Sequence, residues 1–385
     1  ETRMLAALDD DHRARVAALI HGILPEVEGV LVTHKIDCDY HRGGGIFAAA
    51  RYPEQASLQR QVLEEYRAVG FGEEDYRWLD ADELRSRLCI AGAQGGIYTP
   101  HIARIQPARL VLGLVRTLRD MGVRIYEQTP VTGLEPGVML TAGGRVNASH
   151  RVLALEGYST GLPEVERRVL AVQSRIVATE PLDDDTWDSI GLAQREVFCD
   201  GSPLTTYGQR SADNRMVFGA RGTYRFGGKP ISHFHADDPA FAARRALARK
   251  FFPVLENAAF THAWGGTLGV SRRFAPHVAF DVASGLGTAG GYTGEGVGAS
   301  YLFGQTLAEL ILQKETDRTR LPWVLRGDPT RVLPRWEPEP LRWLGFKAAW
   351  SIYSWEEAVH GEGRSWGWHK RLARRAAELV DRVLS

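Results

Sequence analysis

The chain has 385 residues, with 47 basic and 47 acidic side chains and an apolar fraction of 44%. That length exceeds one typical domain and is expected to fold as two interleaved domains sharing a large core. A net charge of zero names neither nucleic acid nor an anionic membrane as the implied partner. Cys38, Cys89 and Cys199 lie far apart, with no CxxC pair and no His/Cys ligand spacing, so no metal is indicated. Reduced, buried thiols in a cytoplasmic protein are expected. No run reaches the ~18 apolar residues of a membrane span, and no basic-then-apolar leader is visible. The chain opens on Glu1, not Met, and is read as processed or partial.

Thr2 to Ile20 has a helical pattern polar enough for a surface. In Ile36 to Ala50 a glycine turn, Gly43 to Gly45, precedes a short apolar strand. Gln55 to Val69 predicts an amphipathic helix stopped at Gly70, and Asp80 to Leu88 a short helix with Asp80 as its N-cap. Gly95 to Thr99 reads as a strand. Pro107 then opens a helix that stops at Gly122. Val123 to Gln128 alternates as a strand should, Val138 to His150 predicts a hairpin turning at Gly143–Gly144, and Arg151 to Ser159 predicts a buried strand ending in a glycine turn. Helix, strand, hairpin, strand predicts a central sheet with a small β excursion, an α/β (α+β) class.

From Gln173 to about Phe260 the pattern changes. Alternating strands at Gln173–Leu182, Pro203–Ser211 and Arg215–Gly222, with a helix from Asp238 to Phe251, predict an inserted antiparallel layer. The tail from Leu321 is rich in Trp and Pro and closes with a basic amphipathic helix, Trp368 to Leu384, carrying Lys370, Arg371, Arg374 and Arg375. Docking of that helix on its own domain or a second subunit is expected in preference to a membrane surface.

The organising stretch is Gly290 to Leu312, GGYTGEGVGASYLFGQTLAELIL. Gly290, Gly291, Gly294, Gly296 and Gly298 permit tight turns and close backbone approach. The helix that follows offers unpaired N–H groups and a positive dipole end. Ser300, Gly304 and Ala308 recur every fourth residue, giving a face small enough to press against a neighbour. Gly285 to Gly291 reads as a short buried strand, and strand, glycine loop, helix is a phosphate-cradling layout. A plain strand-to-helix connection explains the glycines equally well on spacing alone, and the pattern is not the GxGxxG fingerprint.

Taken in order, Tyr98 to Gly137, the hairpin, Arg151 to Ser159, Ala178 to Leu182, Trp264 to Asp281 and Gly285 to Ser300 resemble the D-amino-acid oxidase family of FAD-dependent oxidoreductases, most of all its gamma-glutamylputrescine oxidoreductase-like branch. The resemblance runs over roughly Ile36 to Leu312. It implies an FAD-binding domain of the glutathione-reductase-like type from residues 1–50, 95–172 and 261–320. An inserted antiparallel-sheet substrate domain would take 51–94 and 173–260, and 321–385 would form a C-terminal extension.

By the same resemblance Pro130 and Val131 meet the adenine end of FAD. Ala154, Leu155 and Glu156 lie beside the adenosine and pyrophosphate, with Glu156 standing where the family more often has a smaller residue or Asn. Gly265 and Gly266 approach the flavin ring. Gly291, Tyr292, Thr293, Gly294, Glu295, Gly296 and Val297 wrap its pyrimidine edge and ribityl chain, and the helix dipole is aimed at N1–C2=O. The implied reaction takes hydride from the amine-bearing carbon of an amine or amino acid to flavin N5. The imine hydrolyses, and oxygen or another acceptor takes the electrons.

Tyr207, Arg210, Arg221 and Tyr224 are the candidate substrate contacts, an arginine being able to hold a carboxylate bidentately. His41 and His101 are read as structural hydrogen-bonders before bases, and Trp264 as core or as a wall of the flavin site. The family's N-terminal strand–GxGxxG–helix unit has no counterpart before Ile36, so the chain is read as a member lacking that unit. A non-catalytic binding module is the alternative. A nicotinamide-dependent dehydrogenase is a third, disfavoured by the missing fingerprint. A homo-oligomer is compatible with all three.

Overall fold

The computed structural model describes residues 2–202, 204–361 and 367–384. In chain order the first strands are β1 (Gly45–Ala48), β2 (Arg77–Leu79), β3 (Gly96–Thr99), β4 (Val131–Glu135), β5 (Val138–Thr141), β6 (Gly144–Asn147) and β7 (Arg151–Leu153). They continue with β8 (Val169–Thr179), β9 (Val197–Cys199), β10 (Thr206–Arg210), β11 (Met216–Tyr224), β12 (Phe260–Ser271), β13 (His277–Asp281), β14 (Leu286–Gly290) and β15 (Val324–Arg326). The helices are α1 (Thr2–Ala6), α2 (Asp10–Thr33), α3 (Glu54–Ala68), α4 (Ala81–Arg87), α5 (Pro107–Asp120) and α6 (Asp184–Ile190), then α7 (Pro239–Phe251), α8 (Gly296–Ile311), α9 (Pro329–Val332), α10 (Leu341–Gly361) and α11 (Gly367–Leu384).

Three sheets result. The largest has eight strands in the order β12-β8-β11-β10-β9-β1-β3-β2, antiparallel except where β1 runs beside β9. Its β8 is buried on both faces, which its unbroken VLAV and RIVAT runs suit. One face packs Val177, Phe198, Phe218, Phe241, Phe252 and Trp187 into the main core under α7. A four-stranded sheet, β15-β13-β14-β7, carries the glycine stretch. Its β14 is wholly buried, and α8 lays Leu302, Phe303, Leu307 and Leu310 onto it. At Gly287 a Cβ would stand 3.0 Å from both Leu307 and Phe280, so the missing side chain is what lets helix and strand close. The hairpin β5–β6 joins β4 in a three-stranded sheet.

Local signals set most element ends. Asp80 caps α4 in a full capping box with Glu83, Asp238 caps α7, and Pro107 occupies the first turn of α5, where its missing N–H costs nothing. Four expectations are corrected. Residues 123–128 form no strand. Val123 and Tyr126 are exposed there, and an extended segment without a ladder partner has nowhere to place its peptide groups. The helix expected to end at Ile20 continues as α2 to Thr33 through Pro25. Ser300, Gly304 and Ala308 lie on the exposed side of α8, because its Leu and Phe side chains claim the buried side. Cys38 is buried and Cys199 half-buried, but Cys89 is exposed, all three being free thiols.

Among the described residues α2 is the helix long and apolar enough to cross a membrane, its most apolar 18-residue stretch having a mean hydropathy of 1.5. It lies against α8, Ile23 reaching Gly298, while Glu26 pairs with Arg318 at 3.3 Å.

Candidate cofactor and substrate site

The register of the large sheet builds one wall of the candidate site. Trp264, Ile176, Gly219, Tyr207, Cys199 and Phe47 stand opposite one another across β12, β8, β11, β10, β9 and β1, so their side chains share one face. One pleat along, Gly266 pairs with Ser174, and the Ser174 hydroxyl meets the Tyr207 hydroxyl at 2.8 Å. Nothing lies within 4 Å of where a Gly266 Cβ would be, so this part of the wall is open. Gly265 points the other way, where a Cβ would strike Phe234 at 2.6 Å.

The four candidate substrate contacts are therefore separated. Tyr207 is on the open wall, and burial pushes its phenol up. Arg210 is on the opposite, core-side face, since an odd number of residues along one strand changes face. It bonds the Asn214 side chain at 3.0 Å and covers the Trp187 ring at 4.7 Å. Arg221 lies over Tyr353 of α10 at 5.8 Å. Tyr224 donates to Glu339 at 2.6 Å and packs against Phe346, so the C-terminal extension holds it.

The glycine stretch builds the second part. Gly291 turns at φ +74°, and a Cβ there would sit 2.9 Å from Ser271 and 3.0 Å from His277, so only glycine fits without displacement. The Tyr292 ring goes inward against Phe303. The Thr293 N–H donates to the Gly269 carbonyl at 3.2 Å, fastening the loop to β12. Gly294 at φ +104°, Glu295 and Val297 are exposed, with Gly296 half-buried. Glu295 stands at the N-cap of α8 without a side-chain capping bond, leaving the helix's positive end uncapped by its own chain.

Glu156 joins the two parts. It follows β7 at the head of a short turn of helix and holds φ +48°, a left-handed backbone that costs a side-chain-bearing residue energy. Its carboxylate accepts the Tyr292 N–H at 2.8 Å and the Gly269 N–H at a still shorter distance. Burial raises its pKa, against the opposing pull of the main-chain N–H groups of Tyr292, Gly269, Gly291 and Gly157. The amides of Tyr292 and Gly269 converge on it as hydrogen-bond donors, with those of Gly291 and Gly157 close enough to favour its charge. The site is thus an anion-accepting nest in which the Glu156 carboxylate stands for an anionic group. The donor set therefore fits the phosphate or polarised carbonyl of a flavin dinucleotide. Ala154 is exposed and Leu155 half-buried just before it. Val131 packs with Leu153 and Leu286 at the start of β4, and Pro130 is exposed.

The histidines are structural. His41 contacts the Gln194 carbonyl at 3.1 Å. His101 reaches Asp75 at 2.7 Å and stacks on His21 at 3.7 Å, with His21 3.4 Å from the same carboxylate oxygen. Burial, then the His101 ring, hold His21 below the usual imidazole range. The three donor atoms lie within 4.8 Å of one another. Rings only 11° from parallel aim their lone pairs along separate planes, however, so the arrangement is a hydrogen-bond bridge between α2 and the sheet. Sequence reasoning missed Ser174, Gly157 and Gly269. The register of β8 against β12 reveals Ser174 and Gly269, and the turn after β7 packing on β12 reveals Gly157.

The glycine loop feeding a helix beside an antiparallel sheet defines a mixed α/β fold whose converging amides suit an anionic group. A family profile described as FAD dependent oxidoreductase (DAO) matches residues 1–310, and the chain belongs to that family. It is 29% identical over 288 residues to a Haemophilus influenzae protein named "Probable oxidoreductase OrdL", covering 72% of this chain and 63% of that one. It is 27% identical over 285 residues to the gamma-glutamylputrescine oxidoreductase of Escherichia coli, again covering 72% and 63%. The chain thus spans under two thirds of the length of these relatives. Among solved structures it is similar to glycine oxidase from Geobacillus kaustophilus, with a TM-score of 0.66, 21% identity and coverage of 78% and 80%. It is also similar to L-proline dehydrogenase from P. horikoshii, with a TM-score of 0.65, 14% identity and coverage of 79% and 80%. These structures share the mixed α/β fold.

Proposed function

We propose that this chain carries the flavin-facing and substrate-facing surfaces of an FAD-dependent oxidoreductase that oxidises the C–N bond of an amine or amino acid. The observation that carries the reading is the nest of main-chain amides at Gly157, Gly269, Gly291 and Tyr292 beside the uncapped start of α8. When bound, FAD supplies two-electron oxidation, taking a hydride from the amine-bearing carbon while the nitrogen loses a proton. The imine would then be hydrolysed by water, and oxygen or another acceptor would take the electron pair.

The residues orient and shield. The α8 dipole favours negative charge at its N-terminus, the open backbone at Gly266 leaves room for a flat ring, and Tyr207 with Ser174 presents hydroxyls on the same wall. No side-chain acid–base pair is needed, since the ammonium form loses its proton to water before reaction and the iminium left by hydride departure gives up its proton to water. An amine or amino acid is favoured as substrate by the relatives' names, gamma-glutamylputrescine oxidoreductase and glycine oxidase among them.

The test is anaerobic mixing of the FAD-loaded protein with gamma-glutamylputrescine, glycine and proline in turn. Bleaching of the flavin absorbance by one of them supports the reading, and an unbleached spectrum with all amines tried removes it. A second reading, a non-catalytic binding module, is favoured by Glu156 already filling the nest. It is the outcome if FAD fails to associate.

A further inference from the structure

The C-terminal helix is seated on its small side. α11 rests against the protein through Ala373 and Ala377, both fully buried, while Trp368, Leu372, Leu379 and Val383 are 53%, 51%, 62% and 62% exposed. At 3.6 residues per turn these four fall on one stripe. Arg371 and Arg375, also exposed, border one edge of it. The acidic groups of the helix are engaged elsewhere, Glu378 with Arg374 at 3.1 Å and Asp381 with the Tyr353 hydroxyl at 2.6 Å. Lys370 is turned inward to Glu54 at 2.6 Å. The helix also lies beyond residues 1–310, so the fold shared with the family does not account for its face.

We propose that α11 lies on an anionic phospholipid surface. Trp368, Leu372, Leu379 and Val383 enter the boundary between headgroups and acyl chains, and Arg371 and Arg375 meet lipid phosphates. Charge complementarity selects this occupant. A two-fold contact with a second copy would bury the stripe but offer the arginines no acidic partner from this helix, whose carboxylates are already engaged, whereas an anionic bilayer both buries the stripe and neutralises them. The neutral charge of the whole chain does not oppose this, because surface attraction is felt within about a Debye length and is set by the local face.

The experiment is cosedimentation of the full chain with vesicles of phosphatidylglycerol and phosphatidylcholine, and with phosphatidylcholine alone. Binding is expected to the mixed vesicles, falling as salt is raised. Each basic residue near such a surface strengthens binding roughly five-fold, so Arg371→Glu with Arg375→Glu lowers it at least ~25-fold. Leu372→Ser with Leu379→Ser removes it with only a small shift in melting temperature, because both side chains are already largely exposed and serine is only slightly the poorer helix former. The proposal is overturned by absence of binding to the anionic vesicles, by equal binding to phosphatidylcholine alone, or by binding that ignores both double variants. A dimer in sedimentation velocity that the leucine variant dissolves also overturns it, assigning the stripe to a second copy.

Discussion

Replacing Glu156 by Ala tests whether the amide nest is held by its carboxylate. The change strips the acceptor from the Tyr292 and Gly269 N–H groups. Each buried donor left unpaired costs roughly 1–3 kcal/mol. Against that stands relief from keeping a carboxylate where burial has raised its pKa. The net expectation is a loss of about 2 kcal/mol in urea unfolding. Glu156→Gly removes the same acceptor but suits φ +48°, and after glycine's extra chain entropy it should recover about 0.5–1 kcal/mol relative to Ala. Because the folded pKa lies above the unfolded one, this group's contribution is complete below the ordinary glutamate range. It is lost as pH rises through the raised value. Glu156→Gln should flatten that part of the stability profile. An Ala variant as stable as the parent would refute the nest, and a Gly variant no better than Ala would refute the left-handed backbone at this position.

Buried His277, pushed down to about 4 from 6.5, works in the opposite direction. Its folded pKa is depressed, so stability is held above pH 6.5 and lost as pH falls towards 4, by up to roughly 3 kcal/mol. His277→Gln should remove most of that slope, and an unchanged acid limb would show the imidazole is not buried neutral. Tyr207→Phe deletes the bond to Ser174 and should cost about 1 kcal/mol in urea unfolding; a loss of several would mean Tyr207 holds more than that one partner. Gly294→Val forces a side chain onto a backbone at φ +104° and should abolish flavin retention. Unchanged flavin content in that variant takes the Gly290–Gly298 loop out of the site.

Much of this architecture is legible in residue patterns. Capping chemistry at Asp80 and Asp238 and the Pro107 start are local, and the structure places those helix starts at the expected positions. The buried strand, glycine loop and helix from Leu286 to Ile311 are equally local. What escaped depends on partners. Alternation in Val123 to Gln128 suits a strand, but a strand exists only with a neighbour to bond. The small stripe on α8 predicts close packing, yet periodicity does not say which side the core lies on. Arg210 and Tyr207 look equivalent along the chain until the pleat sends them to opposite faces. Glu156 was visible as a departure from a family position, while its partner Gly269 came from a strand far away in sequence.

The most direct test of the account is amide hydrogen exchange across Gly290 to Gly298 in the full chain, with and without FAD. The uncapped amides at the start of α8 should exchange quickly in the free protein and slow markedly with the dinucleotide, together with Gly265 to Gly269 of β12. Exchange in both segments that stays the same under saturating FAD, or slowing confined to other parts of the chain, would contradict it.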